Sequence, residues 1–390
     1  MTTGTRSLTS GKAASFERLV VPALRRAEIE VGGSQPWDLQ IHDRRFFRRV
    51  VLEGSLGLGD SYIEGWWDCD DLGTFFHRLI AARSQVQRLA GIPGFIHDLR
   101  RKLFNLQGKR RAKQVVDSHY DLPAALFETM LGPSMTYSCA YWQGTGSLEQ
   151  AQENKLDLIC RKLGITPRDR ILELGCGFGS FARHASRHYG CAVVGVTLSG
   201  TQARYARSLC DGLPVEIHQT DYRDLQSYSG GTPFCKIVSI AMFEAVGHRS
   251  FRGFMEVVDQ LLQDGGSWLL HTIGDSVCSS DPWLDKHIFP NGELPSHEQI
   301  EDAAQSLFSL HDTHEFGSDY ALTLAAWEAN FRRGWDELRR SDPRVFDGRF
   351  FRKWIYYLSC CRGAFLAGDL YLWQILMARE PAPARFRPVR

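Results

Sequence analysis

A short apolar run followed by three closely spaced glycines is the first stretch of this sequence whose residue types predict chemistry. Residues 171–174 have the composition of a buried strand, and Gly175, Gly177 and Gly179 follow them. Apolar side chains then recur at helical spacing over residues 178–185. Because glycine has no Cβ, a ligand can lie directly against such a turn between strand and helix. Many nucleotide-binding folds share the turn, so taken alone it is equally compatible with a purely structural role.

A second strand-like run, residues 191–197, follows the first along the chain. In α/β nucleotide-binding folds the end of this strand carries a group that recognises ribose, and dinucleotide folds use Asp or Glu there. This sequence instead has Thr197, Leu198 and Ser199, with Gln202 one turn later. The missing acidic residue argues against a dinucleotide ligand.

Two more strand-like runs end in side chains suited to a different nucleoside. Residues 215–219 lead to Asp221 and Tyr222, which offer a carboxylate and an aromatic face suited to an adenine. Residues 236–241 lead into Glu244. This order of groups favours S-adenosylmethionine over NAD.

Several further segments extend the pattern well beyond the nucleotide-binding core. The core is similar to class I S-adenosylmethionine-dependent methyltransferases, and the whole chain resembles the cyclopropane-fatty-acyl-phospholipid synthase family from near Trp37 to past Trp373. Six segments in family order carry the resemblance: 119–121 (His-Tyr-Asp), 135–142 (Met-Thr-Tyr-Ser-Cys-Ala-Tyr-Trp), 195–199 (Gly-Val-Thr-Leu-Ser), 271–274 (His-Thr-Ile-Gly), 288–296 (Ile-Phe-Pro-Asn-Gly-Glu-Leu-Pro-Ser) and 363–365 (Gly-Ala-Phe). The resemblance implies an α/β, Rossmann-like class I methyltransferase domain with a lid or insertion after the fifth strand. It also implies a small, mostly helical amino-terminal domain.

By this resemblance, residues 119–142 close over the cofactor S-adenosylmethionine, with Tyr137 and Ser138 in contact with it. The expected donor-binding residues join these two to the glycine turn and the strand ends: Tyr137, Ser138, Glu173, Gly175, Cys176, Gly177, Gly179, Thr197, Leu198, Ser199, Gln202, Asp221, Tyr222 and Arg223.

The reaction implied by the resemblance adds a methylene bridge to a cis double bond of a phospholipid acyl chain. Attack of the alkene on the sulfonium methyl group generates a carbocation, so the protein must exclude water and hold a base beside the new methyl group. In the family this base is a bound bicarbonate ion, which stabilises the cation and accepts the proton that is lost on ring closure. Its implied ligands are Cys139, Glu244, His271, Tyr320 and the backbone amide of Ile273.

Two positions qualify this assignment. Cys361 matches a further family cysteine, and we expect it near the pocket as a catalytic residue but not as a covalent nucleophile. The family commonly has Glu-His-Val-Gly after the fourth strand, whereas this chain has Ala245 after Glu244. If the lost imidazole tunes the base, the product would shift toward a methyl-branched or unsaturated chain; if it only packs, ring formation survives.

Length and charge limit the organisation of the chain. A length of 390 residues predicts two domains, and we expect the following division: a disordered tail at 1–12, a lipid-engaging domain at 13–108, a basic linker at 109–118 and the catalytic domain at 119–390. Basic residues, including Arg44, Arg45, Arg48 and Arg49, are concentrated before residue 115. They form either a solvated face or a contact with anionic lipid. The aromatic residues between positions 37 and 80 are more typical of a core.

Composition also narrows the possible partners. The net charge of +1 argues against a global attraction to nucleic acid. The ten cysteines show no spacing typical of zinc, so we expect no metal site. Without an apolar leader or a long apolar run, we expect a cytoplasmic protein with reduced thiols. The resemblance adds a peripheral contact with the inner face of the membrane and a homodimer.

Two rival functions stay open from the sequence. A methyltransferase of the same fold could act on a small soluble amine or alcohol, which would not need the aromatic amino-terminal domain. A catalytically silent lipid-binding protein could also retain the fold, although the intact glycine turn and the residues Cys139, Glu244, His271 and Tyr320 argue against it.

Overall fold

The computed structural model describes residues 7–90, 122–227, 232–275, 281–379 and 388–390 of the chain. Its helices are α1 (Ser7–Arg26), α2 (Arg45–Glu53), α3 (Ser55–Ile63), α4 (Leu72–Ala90), α5 (Ala124–Leu131), α6 (Leu148–Leu163), α7 (Ser180–Tyr189), α8 (Gly200–Leu209), α9 (Phe251–Leu261), α10 (Pro282–His287), α11 (His297–Ala304), α12 (Ser318–Ser341) and α13 (Gly348–Leu366). Its strands are β1 (Gln40–Ile41), β2 (Trp67–Asp68), β3 (Arg170–Leu174), β4 (Ala192–Thr197), β5 (Val215–Gln219), β6 (Phe234–Ile240), β7 (Leu262–Asp275), β8 (Ser309–Glu315) and β9 (Leu370–Ala378).

Two compact units divide the chain, and neither is continuous in sequence. The first unit comprises residues 1–97, 281–288 and 324–369, and the second comprises residues 98–280, 289–323 and 370–390. The expected division kept 119–390 together, whereas the structure groups two later segments with the amino-terminal residues. Because α1 begins at Ser7, part of the predicted disordered tail is helical. The expected linker at 109–118 lies outside the described residues.

A seven-stranded sheet with the order β5-β4-β3-β6-β7-β9-β8 forms the centre of the second unit. The five strands from β5 to β7 are parallel, and β9 runs antiparallel to both of its neighbours. Successive side chains of β3 enter different cores: Ile171 packs with residues of α6 and α7, and Leu172 packs with residues of α9 and α11. Helices therefore cover both faces, which explains the continuous apolar runs of these strands. The predicted Rossmann-like α/β arrangement is confirmed.

The insertion after the fifth parallel strand is confirmed. The segment after β7 contains the short helix α10. The side chain of Asp281 caps this helix by accepting hydrogen bonds from the backbone N–H groups of Trp283 and Leu284. Strand β9 pairs with β7 from Ser267 as far as Asp275.

Aromatic side chains of the amino-terminal segment build the core of the first unit. The ring of Trp67 lies 5.0 Å from that of Tyr62 and 5.4 Å from that of Phe75. Tyr62 and Phe76 contact Tyr356 of α13, with ring centroids 5.7 and 5.0 Å apart. These rings are buried, so this aromatic-rich segment forms a core, as its composition predicts.

The packing of α13 against α4 depends on Gly363. A Cβ at this position would lie 2.4 Å from the Cβ of Phe76 and 2.7 Å from the backbone nitrogen of His77. We expect Gly363→Ala to lower the free energy of unfolding by about 1–3 kcal/mol. The added methyl group would meet the backbone of α4, which cannot move aside as the end of a long side chain can. Gly348→Ala, at the start of the same helix with nothing within 4 Å, should change it by less than about 1 kcal/mol. Urea denaturation followed by circular dichroism compares the variants, and equal midpoints would contradict the packing argument.

Candidate active site

The glycine turn lies between β3 and α7 and is held against the neighbouring strand. The backbone N–H groups of Gly175 and Cys176 both donate to the carbonyl oxygen of Val196, at 3.0 and 2.8 Å. Gly175, Gly177 and Gly179 have φ values of 77°, 52° and 85°, a region that side chains with a Cβ rarely adopt. A Cβ at Gly177 would have no atom within 4 Å. The turn therefore presents bare backbone to open space, as a nucleoside-binding turn requires.

Polar side chains follow β4 at the adjacent strand end. The hydroxyl of Thr197 donates to Oε1 of Gln202 at 2.8 Å. The hydroxyl of Ser199 caps α8 by accepting from the backbone N–H of Gln202 at 3.2 Å. Leu198 is half-buried between them. Because β3 and β4 are parallel neighbours, their carboxyl ends share one edge of the sheet, so these groups lie beside the glycine turn.

The third strand end carries a fixed carboxylate. Arg223 donates to both oxygens of Asp221, at 2.7 and 2.6 Å. The ring of Tyr222 packs edge to face against Phe254 of α9, with centroids 5.2 Å apart, and burial raises its pKa to about 12. Asp221 and Tyr222 thus lie at the predicted edge of the sheet, each held by a protein contact.

A buried lysine that the sequence did not reveal is hydrogen-bonded to Ser138 and attracts the carboxyl group of Glu173. Nζ of Lys155, on α6, donates to the hydroxyl of Ser138 at 2.8 Å, and the amide of Gln152 donates to the carbonyl oxygen of Ser138 at 2.8 Å. Lys155 is fully buried and Glu173 is 3% exposed. Burial lowers the pKa of Lys155 and raises that of Glu173, and the attraction between the two opposes both shifts. Lys155 shares an apolar helix face with Ile159, and that spacing was the available signal.

The segment before Ser138 is only partly within the described residues. The motif at 119–121 lies outside them. Tyr137 is half-buried, and its ring lies 5.5 Å from that of Phe127. Met135 has a positive φ of 49°, an uncommon conformation for a residue with a side chain. The chain thus enters the donor-binding segment through a strained residue, a feature common near functional sites.

Glu244 lies in the short turn Phe243–Ala245 that follows β6. Its Oε1 accepts a hydrogen bond of 2.7 Å from the backbone N–H of Ile273. Its carbonyl oxygen accepts one of 2.9 Å from the N–H of Glu293, in the segment 289–296. Burial raises the pKa of Glu244 to about 7. Its Oε2 is buried and has no hydrogen-bond partner among the described residues.

His271 lies on β7, two residues before Ile273, and is fully buried. The side-chain amide nitrogen of Gln374, on β9, lies 3.3 Å from Nδ1 of His271. With the amide nitrogen of Gln374 facing it, Nδ1 accepts, and the neutral ring then carries its hydrogen on Nε2. Burial lowers the pKa of His271 well below its usual range, which keeps the ring neutral. Within the described part of the chain, Nε2 has no hydrogen-bond partner.

A hydrogen bond joins the segment of Cys139 to the helix that carries Tyr320. The N–H of Ala140 donates to the hydroxyl of Thr323 at 3.1 Å, so the residue after Cys139 is tied to the helix that carries Tyr320. Cys139 is fully buried, and burial raises the pKa of its thiol well above the usual value. The sulfur is therefore a neutral thiol that donates to the carbonyl oxygen of Ala140 at 3.2 Å.

One aromatic ring connects this segment to His271. The ring of Phe316 lies 5.3 Å from that of Tyr141 and 5.9 Å from that of His271. Contacts of neighbouring residues therefore connect the segments that carry Cys139, Glu244, His271, Ile273 and Tyr320 within the second unit. Cys361 is not part of this set, because it lies on α13 in the first unit. Burial raises the pKa of its thiol to about 12, which disfavours a thiolate.

Two buried polar atoms without partners among the described residues indicate what the site can bind. Glu244 Oε2 and His271 Nε2 are a buried acceptor and a buried donor, and buried polar atoms require partners. A small polar guest with both kinds of group would satisfy them. Ala245 is exposed, so the position that departs from the family pattern faces solvent. No cluster of three or more potential metal ligands occurs in the described part of the chain.

Comparisons with known proteins agree with this arrangement. The family model described as mycolic acid cyclopropane synthetase matches residues 107–375. The cyclopropane-fatty-acyl-phospholipid synthase of Escherichia coli (strain K12) is 44% identical over 371 residues, which cover 94% of this chain and 94% of that protein.

Solved structures of cyclopropane synthases are also similar to this chain. The cyclopropane synthase MmaA2 from Mycobacterium tuberculosis has a TM-score of 0.63 at 28% identity, covering 71% of this chain and 100% of that one. The mycolic acid cyclopropane synthase CmaA1, complexed with SAH and CTAB, has a TM-score of 0.62 at 28% identity and covers 68% and 98%. These neighbours confirm the predicted class I methyltransferase fold. The chain belongs to the mycolic acid cyclopropane synthetase family of S-adenosylmethionine-dependent methyltransferases.

Proposed function

We propose that this chain is a cyclopropane-fatty-acyl-phospholipid synthase, which transfers a methylene group from S-adenosylmethionine to a cis double bond of a phospholipid acyl chain. The observation that carries the proposal is the buried pair of Glu244 and His271 in the same unit as the glycine turn. The similarity to the E. coli synthase over 94% of both chains supports the substrate class. Expression in a bacterium without cyclopropane lipids, beside a Glu244→Ala control, tests it: ring-containing fatty acids should appear only with the unchanged chain.

The donor site follows from the sheet edge. The nucleoside lies against Gly177, where the backbone is bare, and the groups at the ends of β4 and β5 take the ribose and the adenine. Tyr137 and Ser138 close over the donor, with Ser138 held by Lys155. S-Adenosylhomocysteine leaves after the methyl group has been transferred.

Bicarbonate completes the buried pair. One of its oxygens accepts from His271 Nε2, and a proton shared between the ion and Glu244 Oε2 satisfies the carboxyl group. The raised pKa of Glu244, about 7, suits such sharing. Tyr320 adds a donor to the same ion, and Cys139 adds one when its thiol turns away from the carbonyl oxygen of Ala140. The N–H of Ile273 already bonds to Glu244, so the ion must share or displace that bond. Held by these residues, bicarbonate would supply the base for the proton that the new methyl group loses when the ring closes.

Removal of bicarbonate gives a direct test of this assignment. In buffer freed of carbon dioxide, we expect the rate of ring formation on phospholipid vesicles to fall by at least about tenfold, because the base is lost. Added bicarbonate should restore the rate, while the affinity for the donor, measured by calorimetry, stays unchanged. An equal rate in both buffers would show that a protein group is the base.

Contact with the bilayer is assigned to the first unit. In the described residues, no helix combines the length and the hydropathy needed to cross a membrane. Leu19 and Leu52 are 61% and 59% exposed on α1 and α2, two helices that contact each other, and Arg48 on α2 is exposed beside them. Arg49, one of the residues considered for lipid contact, is instead paired with carboxylates of its own unit. Exposed leucines beside an arginine favour peripheral binding to an anionic surface.

Vesicle flotation tests this surface. We expect Leu19→Asp with Leu52→Asp to reduce binding to anionic vesicles by at least about tenfold, because two apolar contacts are replaced by charges that the surface repels. Leu366→Asp, an exposed leucine of α13 at 44%, is the matched control and should float like the unchanged protein. If all variants float equally, the contact lies elsewhere. Light scattering on the same samples tests the homodimer that the family resemblance implies.

A further inference from the structure

The first unit contains a cavity of about 530 Å³ that the proposed reaction does not use. It is lined by α3, α10 and the first turns of α13. Its volume lies within the range of pockets that hold small molecules, roughly 300–1,000 Å³. Charged side chains of both signs line it together with the apolar side chains of Ile63, Val345 and Phe350.

In one part of the lining the carboxylates are already paired with cations. Asp60 accepts hydrogen bonds from Lys286 at 2.8 Å and from His287 at 2.6 Å. Glu64 is paired with Arg49 at 2.8 Å. Each carboxylate therefore has its own cation, and this part of the cavity leaves little charge to attract a ligand.

The α13 part of the lining differs. Arg349 and Lys353 are four residues apart and so lie on one face of the helix. Neither forms an ion pair within the part of the chain that the structure describes. Lys353 is half-buried, with Nζ 5.0 Å from the ring centre of Phe350. Burial lowers the pKa of Lys353, and Asp347 partly opposes that shift. The cavity thus has two neighbouring cations that form no ion pair among the described residues, with Asp347 as the one carboxylate of the lining that acts on Lys353.

Two cations in the first turns of α13 are unfavourable unless an anion binds beside them. Like charges four residues apart on a helix repel, and the amino-terminal turns of a helix are the end where cations are disfavoured. A phosphate group can accept hydrogen bonds from a lysine and an arginine at once. The apolar side chains in the same cavity favour a phosphate that is joined to an apolar body over a free ion.

We propose that this cavity binds the phosphate of a phospholipid headgroup, with Arg349 and Lys353 as the donors. Ile63, Val345 and Phe350 then contact the glycerol and the first carbons of the acyl chains. The inference rests on the proposed function, because that function makes a phospholipid the substrate. It gives the first unit a lipid contact of its own.

Binding of a short-chain lipid tests the site on the full-length chain. The probe is dihexanoyl phosphatidylglycerol below its micelle concentration, with the dissociation constant measured by calorimetry. We expect the double variant Arg349→Gln with Lys353→Met to bind at least about tenfold more weakly, and inorganic phosphate to bind the unchanged chain more weakly than the lipid does. Arg344→Gln, an arginine of the same unit that is 93% exposed, is the matched control. Thermal melting confirms that each variant is folded.

The outcomes separate this site from the function itself. Equal lipid affinity in the double variant and the unchanged chain would overturn the site. Inorganic phosphate bound as tightly as the lipid would also overturn it, because the cavity would then be a site for the free ion. If the chain binds the lipid at this site but forms no cyclopropane on vesicles, the site is supported and the proposed function is contradicted.

Discussion

Replacing Glu244 by glutamine should lower kcat on phospholipid vesicles by at least about a hundredfold, with the affinity for S-adenosylmethionine unchanged. The amide oxygen of the introduced glutamine can still accept the hydrogen bond from Ile273, so the geometry of the turn is retained. The new side chain cannot share a proton with bicarbonate, because an amide does not titrate. Steady-state kinetics and calorimetry with the donor separate the two effects.

The same variant should also change how the free energy of unfolding depends on pH, which the loss of a merely structural residue would not do. The pKa of Glu244 is about 7 in the folded chain, against an ordinary value of 4.5. Between these values the folded state binds more protons than the unfolded state, so stability falls as pH rises from about 4.5 to about 7. Glu244→Gln removes this loss, so it should gain up to about 3 kcal/mol relative to the unchanged chain between pH 5 and pH 8. Glu256→Gln, an exposed carboxylate on α9, should show no such gain.

Thermal melting without bicarbonate at the two pH values provides the measurement. A Glu244→Gln variant that loses activity and shows no relative gain at pH 8 would have lost only a packing contact. A variant that keeps full activity would remove Glu244 from the proposed proton-sharing pair. Either result would contradict the assigned role.

Replacing Lys155 by methionine should weaken donor binding by roughly ten- to a hundredfold. The change removes the buried hydrogen bond of 2.8 Å that holds Ser138, and such a bond contributes about 1.5–3 kcal/mol when the lysine is charged. Methionine retains most of the buried volume. Glu173 also loses its neighbouring cation, so its pKa should rise further. Calorimetry with S-adenosylmethionine and with S-adenosylhomocysteine measures the loss.

Lys162→Met is the matched control for this prediction. Lys162 lies on the same helix, its side chain is 1% exposed, and it is paired with Asp312 at 3.4 Å. Its replacement should lower stability because Asp312 loses a partner, yet leave donor affinity within about twofold. Equal effects of the two substitutions on donor affinity would mean that Lys155 acts through general stability and does not position Ser138.

The sheet and the donor edge could be predicted because local sequence determines them. Continuous apolar runs identify strands buried on both faces. The closely spaced glycines identify the turn, and in the structure Gly175 and Gly177 have the positive φ that glycine tolerates. Parallel neighbours then place all the strand ends at one edge. The strand β5 has the predicted bounds, residues 215–219.

The contacts between distant segments could not be predicted from the sequence. Nothing local indicates that residues 281–288 and 324–369 pack with the amino-terminal unit, because their apolar faces would suit any core. The bond between Glu293 and the backbone of Glu244 joins residues far apart in the chain. Lys155 was missed because a lysine on an amphipathic helix is normally taken as part of the solvated face.

Donor labelling tests the central claim most directly. The purified chain is incubated with vesicles of cis-unsaturated phospholipid, bicarbonate and S-adenosylmethionine carrying a trideuterated methyl group, and the lipids are analysed by mass spectrometry before and after mild hydrogenation. Ring formation predicts a lipid that retains two of the three deuterium atoms and takes up no hydrogen at the modified position. A methyl-branched lipid with all three deuterium atoms, an unsaturated product, or no labelled lipid would contradict it.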